Sequence, residues 1–486
     1  MFCLQQCGYG DGASSKRNQG LLPPSEGHGS AVKGDPNRVL SALYSLNHET
    51  RSADADATSR GSPRDSSTRC RTAFSRWRRV APLLAVPSLF LLALAAQAEP
   101  SDTLWDRPYL TGDWSGLRSR LADLGIVPYA SYTTGIWANV HGGFATGVRY
   151  EGFANWGVDL DLERLFGWQG GRFHLNWHSN VSGLPSQELV GQFPTNAVLG
   201  LESANAVRFY EIYFEQRLWN DALLVKAGQL AVDDDFFVSR YASPLLNACF
   251  AFFGSGRAQQ LAPFYPLAAP GLYLMARPFE QWALRVGAYT ADPGDDTSAN
   301  YGFGWSLNQG ASIGTEFATS RRPMDLPGQY TIGVLGTTKQ LTSFSTGGNV
   351  RGTFGVYFMI DQALVLGADG KPRVGAFLRV GYDPLSDRAL LRAYGNAGFT
   401  VFAPFPGRTH DVLSVGVSYT NFAPDYLESQ RAAGQDVTSH ESIVELTYQA
   451  ALTGWLLVQP DLQFVLDPHY SRHDAVVLGL QATINF

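Results

Sequence analysis

Residues 208–230 read RFYEIYFEQRLWNDALLVKAGQL, and polar and apolar positions alternate along them. Tyr210, Ile212, Phe214 and Leu218 fall on one face of an extended strand, and Glu211, Tyr213, Glu215 and Arg217 on the other. Asn220-Asp221 supplies a turn, after which Leu223, Val225 and Ala227 face away from Lys226. The pattern predicts a hairpin with one apolar and one charged face, interrupted by Gln216 on the apolar side. Such a hairpin suits a soluble sheet over a core. It equally suits a barrel whose apolar face meets lipid and whose charged face lines a wet lumen. The rest of the chain separates the two.

The same period of two recurs. Over 149–162, Tyr150, Ala154, Trp156, Val158, Leu160 and Leu162 oppose Arg149, Glu151, Asn155, Asp159 and Asp161. Phe173, Leu175, Trp177 and Val181 then oppose Arg172, His174, Asn176, His178 and Asn180, and Trp282, Leu284, Val286 and Ala288 oppose Arg285 and Tyr289. Further on, Val444, Leu446 and Tyr448 oppose Glu445, Thr447 and Gln449, and Leu462 and Phe464 oppose Asp461 and Gln463. About sixteen strands follow, centred near 131, 155, 176, 213, 226, 274, 286, 315, 332, 357, 378, 396, 416, 445, 460 and 480. Short connections (220–221, 278–281, 451–454) alternate with long ones (183–206, 231–270, 291–310, 421–439), as periplasmic turns and outer loops do in a transmembrane barrel. The last strand sets Val476, Leu478, Leu480, Ala482, Ile484 and Phe486 on one face. A final strand ending in an aromatic residue resembles the signal that barrel assembly machinery reads. The predicted lipid faces carry no Arg or Lys, each of which costs about 2–4 kcal/mol at the bilayer midplane. One helix is expected, within the segment 99–125: Asp113 caps it, Leu117, Leu121 and Leu124 share a face, and Gly125 ends it.

The first part of the chain differs in kind. Residues 1–75 are rich in Ser, Gly, Arg and Asp without periodicity, and read as disordered or as an upstream start outside the mature protein. Residues 76–98 have a basic start, a short apolar run and Ala96-Gln97-Ala98, the pattern of a secretory signal cleaved after Ala98; a membrane anchor is the alternative. The barrel is then 126–486. The first 98 residues hold 12 Lys+Arg and 7 Asp+Glu, against 37 and 43 in all, so the remainder has 25 basic and 36 acidic residues and a formal charge of −11. That balance disfavours nucleic acid as a partner and anions as solutes. Only Cys249 remains, so no internal disulfide forms.

Several blocks, in order, carry a family resemblance: LTGDWSGLRSRLADLGI (110–126), YEGFANWGVDLDLERLFGWQGGRFH (150–174), RFYEIYFEQ (208–216), KAGQLAVDDDF (226–236), YPLAAPGLYL (265–274) and LTYQAALTGWLLVQPDLQFVLDP (446–468). The chain resembles the carbohydrate-selective porins of the OprB family. The resemblance implies a sixteen-stranded outer-membrane barrel through which sugars diffuse past a charged constriction, without cofactor or catalysis. It also implies lipid as surroundings and, as porins often do, a homotrimer.

Sugar passage calls for spaced, weak hydrogen-bonding groups along a wet path. The inward candidates are Arg149, Glu151, Asp159, Arg172, Glu211, Glu215, Arg217, Lys226 and Arg285. The longest loop, 231–270, is the expected constriction, with Asp233, Asp234 and Asp235 facing Arg240 and Arg257, and its apolar stretch 249–253 packed on the wall. Three adjacent carboxylates also admit calcium, though an exposed charge run is the simpler reading. Trp156, Trp177 and Trp282 point outward by parity, while Trp305 lies in a loop and is a candidate for stacking on sugar. His174 and His178 lie roughly 13 Å apart on a strand and cannot share zinc. GASIG at 310–314 matches a hydrolase nucleophile motif, but Ile313, Thr315 and Phe317 continue a strand where that motif needs a turn into a helix. A lipase-like barrel enzyme and a plugged structural or adhesion barrel are the alternatives to a channel.

Overall fold

The structure, a computed structural model, describes residues 103–251, 254–258 and 261–486. The 1–75 extension, the signal at 76–98 with its cleavage after Ala98, and Phe252-Phe253 of the apolar loop stretch lie outside the described residues.

Sixteen antiparallel strands close on themselves. They are β1 (Ile126–His141), β2 (Gly147–Asp161), β3 (Gly171–Ser182), β4 (Ala206–Leu218), β5 (Leu223–Leu230), β6 (Ala269–Phe279), β7 (Trp282–Asp292) and β8 (Ser306–Arg321). The second half comprises β9 (Gly328–Thr342), β10 (Asn349–Leu366), β11 (Pro372–Tyr382), β12 (Leu391–Phe402), β13 (Val412–Phe422), β14 (His440–Ala451), β15 (Leu456–Leu466) and β16 (Ala475–Asn485). Every predicted strand centre falls inside one of them. The sheet closes where β1 pairs with β16, so that Phe486 donates its N–H to Ala130 and no edge is left.

The predicted alternation is visible across the register. Phe358 pairs with Ile332 on one side and Val380 on the other, and all three are exposed on the outer face. Their chain neighbours Tyr357 and Met359 point inward and are buried. One stretch breaks the rule. Leu175 pairs with Ile212 but Trp177 pairs with Phe209, so β4 holds one extra residue, a bulge. Tyr210, placed outward by simple parity, therefore points inward with Arg208, and Glu211 follows on the same side. Gln229 stabilises the irregularity, donating Nε2 to the carbonyls of Phe209 and Tyr210.

Both described ends lie at the end of the barrel with the short turns 219–222, 280–281, 322–327 and 452–455. The loops 183–205, 231–268, 293–305 and 423–439 emerge at the other. Exposed Phe166, Trp168, Trp219, Phe279 and Phe405 ring the short-turn end, where an interfacial aromatic belt belongs. The hairpin turn after β4 is longer than expected, running through Trp219, Asn220 and Asp221, all at positive φ.

The expected helix is α1 (Leu117–Asp123). Its N-cap residue is Gly116, and Asp113 serves it from further upstream by accepting the Ser119 N–H at 2.9 Å. Among the described residues three short α-helices went unpredicted: α2 (Leu162–Phe166), α3 (Gly254–Ala258) and α4 (Pro424–Ala432). Leu162 thus belongs to a helix, because the Asp161 carboxylate accepts the N–H groups of Glu163 and Arg164 and ends the strand. The segment before β1 clamps the closing seam: Leu110 N–H reaches Asn485 at 2.8 Å, Arg118 reaches the Phe486 carbonyl oxygen at 2.7 Å, and Trp455 donates to Leu104.

Candidate functional site

The loop 231–268 leaves β5 and crosses the lumen, and its buried backbone needs acceptors. Inward carboxylates of the wall supply them. Glu211 accepts the Ala231 N–H at 3.0 Å, and Glu316 accepts the Phe237 N–H at 2.8 Å. Asp361 accepts the Ser239 hydroxyl at 2.6 Å and the Arg240 N–H at 3.0 Å. Glu445 accepts Leu246 and Asn247 N–H at 2.5 and 2.9 Å. Carbonyls of the loop are met in turn by Arg379, which donates to Phe250, and Asn396, which donates to Cys249 at 3.0 Å. Charge-assisted bonds of this kind are stronger than neutral ones. The loop therefore spans from β4 to β14. Its apolar side chains seat against the wall, with Phe237 on Tyr357 and Phe250 edge-on to Phe377. Gly416 leaves the space that Phe250 and Leu245 fill, since a Cβ there would lie 2.6 Å from Leu245. The expected packing of the 249–253 stretch is met by its described part.

The loop 183–205 is held in the same way. Glu151 accepts the Ser182 hydroxyl and the Gly183 and Leu184 N–H groups. Glu441 accepts the Phe193 and His469 N–H groups and the Asn196 amide. Glu202 takes the Ser186 hydroxyl and N–H. Burial, with repulsion from Glu151, pushes the Glu202 carboxyl up to about 8. Above this lies an apolar cap in which Phe193 meets Phe422, Tyr426 and His469. Burial pulls the His469 imidazole down to about 3.

The predicted site residues divide by what covers them. Glu151, Glu211, Asp233 and Arg257 are buried beneath the loops. Asp233 accepts the Tyr265 N–H at 3.1 Å. Lys226 pairs with Asp235 at 2.7 Å with both side chains largely covered. Asp234 shares a hydrogen bond with Glu211. The three adjacent aspartates thus turn to three different partners and do not converge as calcium ligands would. Burial lowers the Arg257 guanidinium to about 10, against the pull of Asp233 and Asp296.

A second group faces water at the short-turn end. The Asp159 side chain is 52% exposed while holding His174 at 2.7 Å. That imidazole stacks between Tyr129 and Tyr213. Arg172 is exposed at the start of β3. Arg217, 38% exposed, binds Glu215 at 2.8 Å, and Arg285 binds Glu316 at 2.8 Å. Arg240 is exposed, its guanidinium 5.7 Å from the ring centre of Phe402 at the end of β12. Arg277, which sequence reasoning passed over, is exposed on β6. It sits where β6 bulges between Ala276 and Phe279. Arg149 lies apart, near the long-loop end. Together these groups bound an inner vestibule with donors, acceptors and ring faces in reach of water.

Other motifs find ordinary places. Ser312 of the GASIG match is buried mid-strand in β8, donating to the Leu261 carbonyl, with the strand continuing beyond it to Arg321. His178 is buried among Phe153, Tyr210 and Tyr265. Trp305 is half-buried and donates to Gln229 at 3.2 Å. The wall carboxylates Glu316, Asp361 and Glu441 were not singled out from sequence; alternation gives their direction, but only the loops give their task.

Comparison with known proteins adds to this. A family model described as carbohydrate-selective porin, OprB family, matches residues 145–486. Porin B of Pseudomonas aeruginosa is 24% identical over 431 residues, covering 80% of this chain and 93% of that protein. Putative porin QuiX of Acinetobacter baylyi is 23% identical, covering 81% and 97%. The high-pH structure of Pseudomonas putida OprB shares the fold with a TM-score of 0.72 at 21% identity, over 79% of this chain and all of that one.

Proposed function

The chain belongs to the OprB family of carbohydrate-selective porins, outer-membrane barrels that pass sugars, and from that premise we propose that its inner vestibule is where sugars are sorted. One observation carries the proposal: the water-facing charges of the lumen gather at the short-turn end, while most of the inner wall lies beneath loops. While buried Glu215 holds Arg217 in place, Asp159 accepts sugar hydroxyls. Arg172, Arg217, Arg240 and Arg285 donate to them, and the Tyr213 edge lies alongside. Glu151, Glu211, Lys226, Asp233, Asp234, Asp235 and Arg257 shape the constriction by holding the loops, and Arg149 attends the outer entrance. Passage is diffusive, with no substrate turned over and no cofactor bound.

The rest of the reading follows the same premise. The chain is exported on its 76–98 signal, and the mature protein begins at Glu99. The strand ending at Phe486 engages the barrel assembly machinery, and copies of the chain associate as a homotrimer in the outer-membrane lipid. Liposome swelling with a panel of monosaccharides and disaccharides tests the function. Wild type is expected to admit monosaccharides fastest, and Asp159→Asn with Arg172→Gln to change the order of rates. Liposomes that do not swell, or an unchanged order, would refute the vestibule as the sorting site.

A further inference from the structure

We propose that the inner vestibule favours sugars bearing a carboxylate, such as uronates and aldonates, over their neutral parents. The inference rests on the sugar-porin reading above and narrows its substrate class. The chain as a whole is acidic, with a formal charge of −6, and that alone would repel anions. A passing solute, however, meets only the charges that face water and lack a partner.

At this end the lumen-facing carboxylates are engaged. Asp159 holds His174 at 2.7 Å, Glu215 holds Arg217 at 2.8 Å, and Glu316 holds Arg285 at 2.8 Å. Asp361 is occupied by the Ser239 hydroxyl and by loop N–H groups. Exposed guanidiniums with no ion-pair partner among the described residues include Arg172, Arg240 and Arg277. Arg172 sits in register between Asp161 and Glu215. Asp161 is turned away to cap α2, and Glu215 is taken by Arg217. Arg277 is exposed where β6 bulges between Ala276 and Phe279, close to the turn where its N–H meets the Ala222 carbonyl. Arg240 arrives from the crossing loop and lies over Phe402, on the far side of the barrel from β3. The rim acids Glu280 and Asp325 belong to turns, not to the inner face of a strand.

These cations come from β3, β6 and the crossing loop, while Asp159, Glu215, Glu316 and Asp361 are each taken by a partner. A guanidinium meets a carboxylate with two parallel charge-assisted N–H bonds, and a hydroxyl with single, weaker ones. The hydroxyls of the same sugar still find Asp159. Exposure to water keeps each contact weak enough for release.

The test uses the full chain in liposomes. Swelling rates are compared for glucose and glucuronate, and the reversal potential is read in a KCl gradient. Glucuronate is expected to enter about threefold faster than glucose, with a reversal potential favouring chloride. Arg172→Gln, Arg240→Gln and Arg277→Gln together should bring the two rates level. Arg277→Gln alone, at an exposed side chain, should move the ratio in the same direction even if the triple variant does not fold. Equal or slower glucuronate entry through a channel that admits glucose overturns this inference and leaves the sugar porin standing. Failure to admit either sugar overturns both.

Discussion

The two halves of the lumen use the same residue types for opposite ends. In the outer half, Glu151, Glu441 and Glu445 lie buried and each accepts loop N–H groups. In the inner vestibule, Asp159, Arg172 and Arg217 lie open to water, Asp159 beside His174 and Arg217 beside Glu215. Strand parity treats both groups alike, since all of them point inward. What separates them is whether a loop covers them. A covered carboxylate is a fastening for backbone, and an uncovered one stays open to water.

That contrast can be tested from its strongest consequence down. Lys226→Met removes the partner of Asp235 and strands a buried charge. It is expected to cost about 3–5 kcal/mol, read as a lower unfolding midpoint in detergent. Glu445→Ala leaves the Leu246 and Asn247 N–H groups without an acceptor. It should cost about 1.5–3 kcal/mol and release the crossing loop, read as higher single-channel conductance with poorer discrimination by size. Acid should loosen the cap without opening the barrel. The His469 imidazole titrates near 3 in the fold and near 6.5 when unfolded. The stability it lends is therefore complete above about pH 6.5 and lost as pH falls from there toward 3. Hydrogen exchange in 423–439 and 467–474 should accelerate over that window while the strands stay protected. His469→Phe should remove the pH dependence. Asp159→Asn and Arg172→Gln should leave the unfolding transition where it is, and change only what the channel passes.

Much of the fold is legible in the sequence because lipid imposes a hard rule. Phe358, Val380 and Leu446 have to face outward, and period-two counting finds them. Tyr210 escapes that counting because a bulge depends on the neighbouring strand and on Gln229, neither of which local alternation contains. The charged lining is legible as a direction only. Glu211 and Asp159 look alike in sequence, yet one is roofed by Ala231 and the other is open. A loop that ties residue 246 to residue 445 is a long-range fact, so the division between fastenings and contacts appears only with the fold.

The most direct measurement is sugar-induced block of single channels in planar bilayers. Wild type would be set beside two variants, Asp159→Asn with Arg172→Gln, and Glu211→Gln. If exposed vestibule charges sort sugars, the first variant changes the ratio of binding constants between two monosaccharides and Glu211→Gln keeps the wild-type ratio. An unchanged ratio in the vestibule variant, or an altered one in Glu211→Gln at wild-type conductance, would contradict the account.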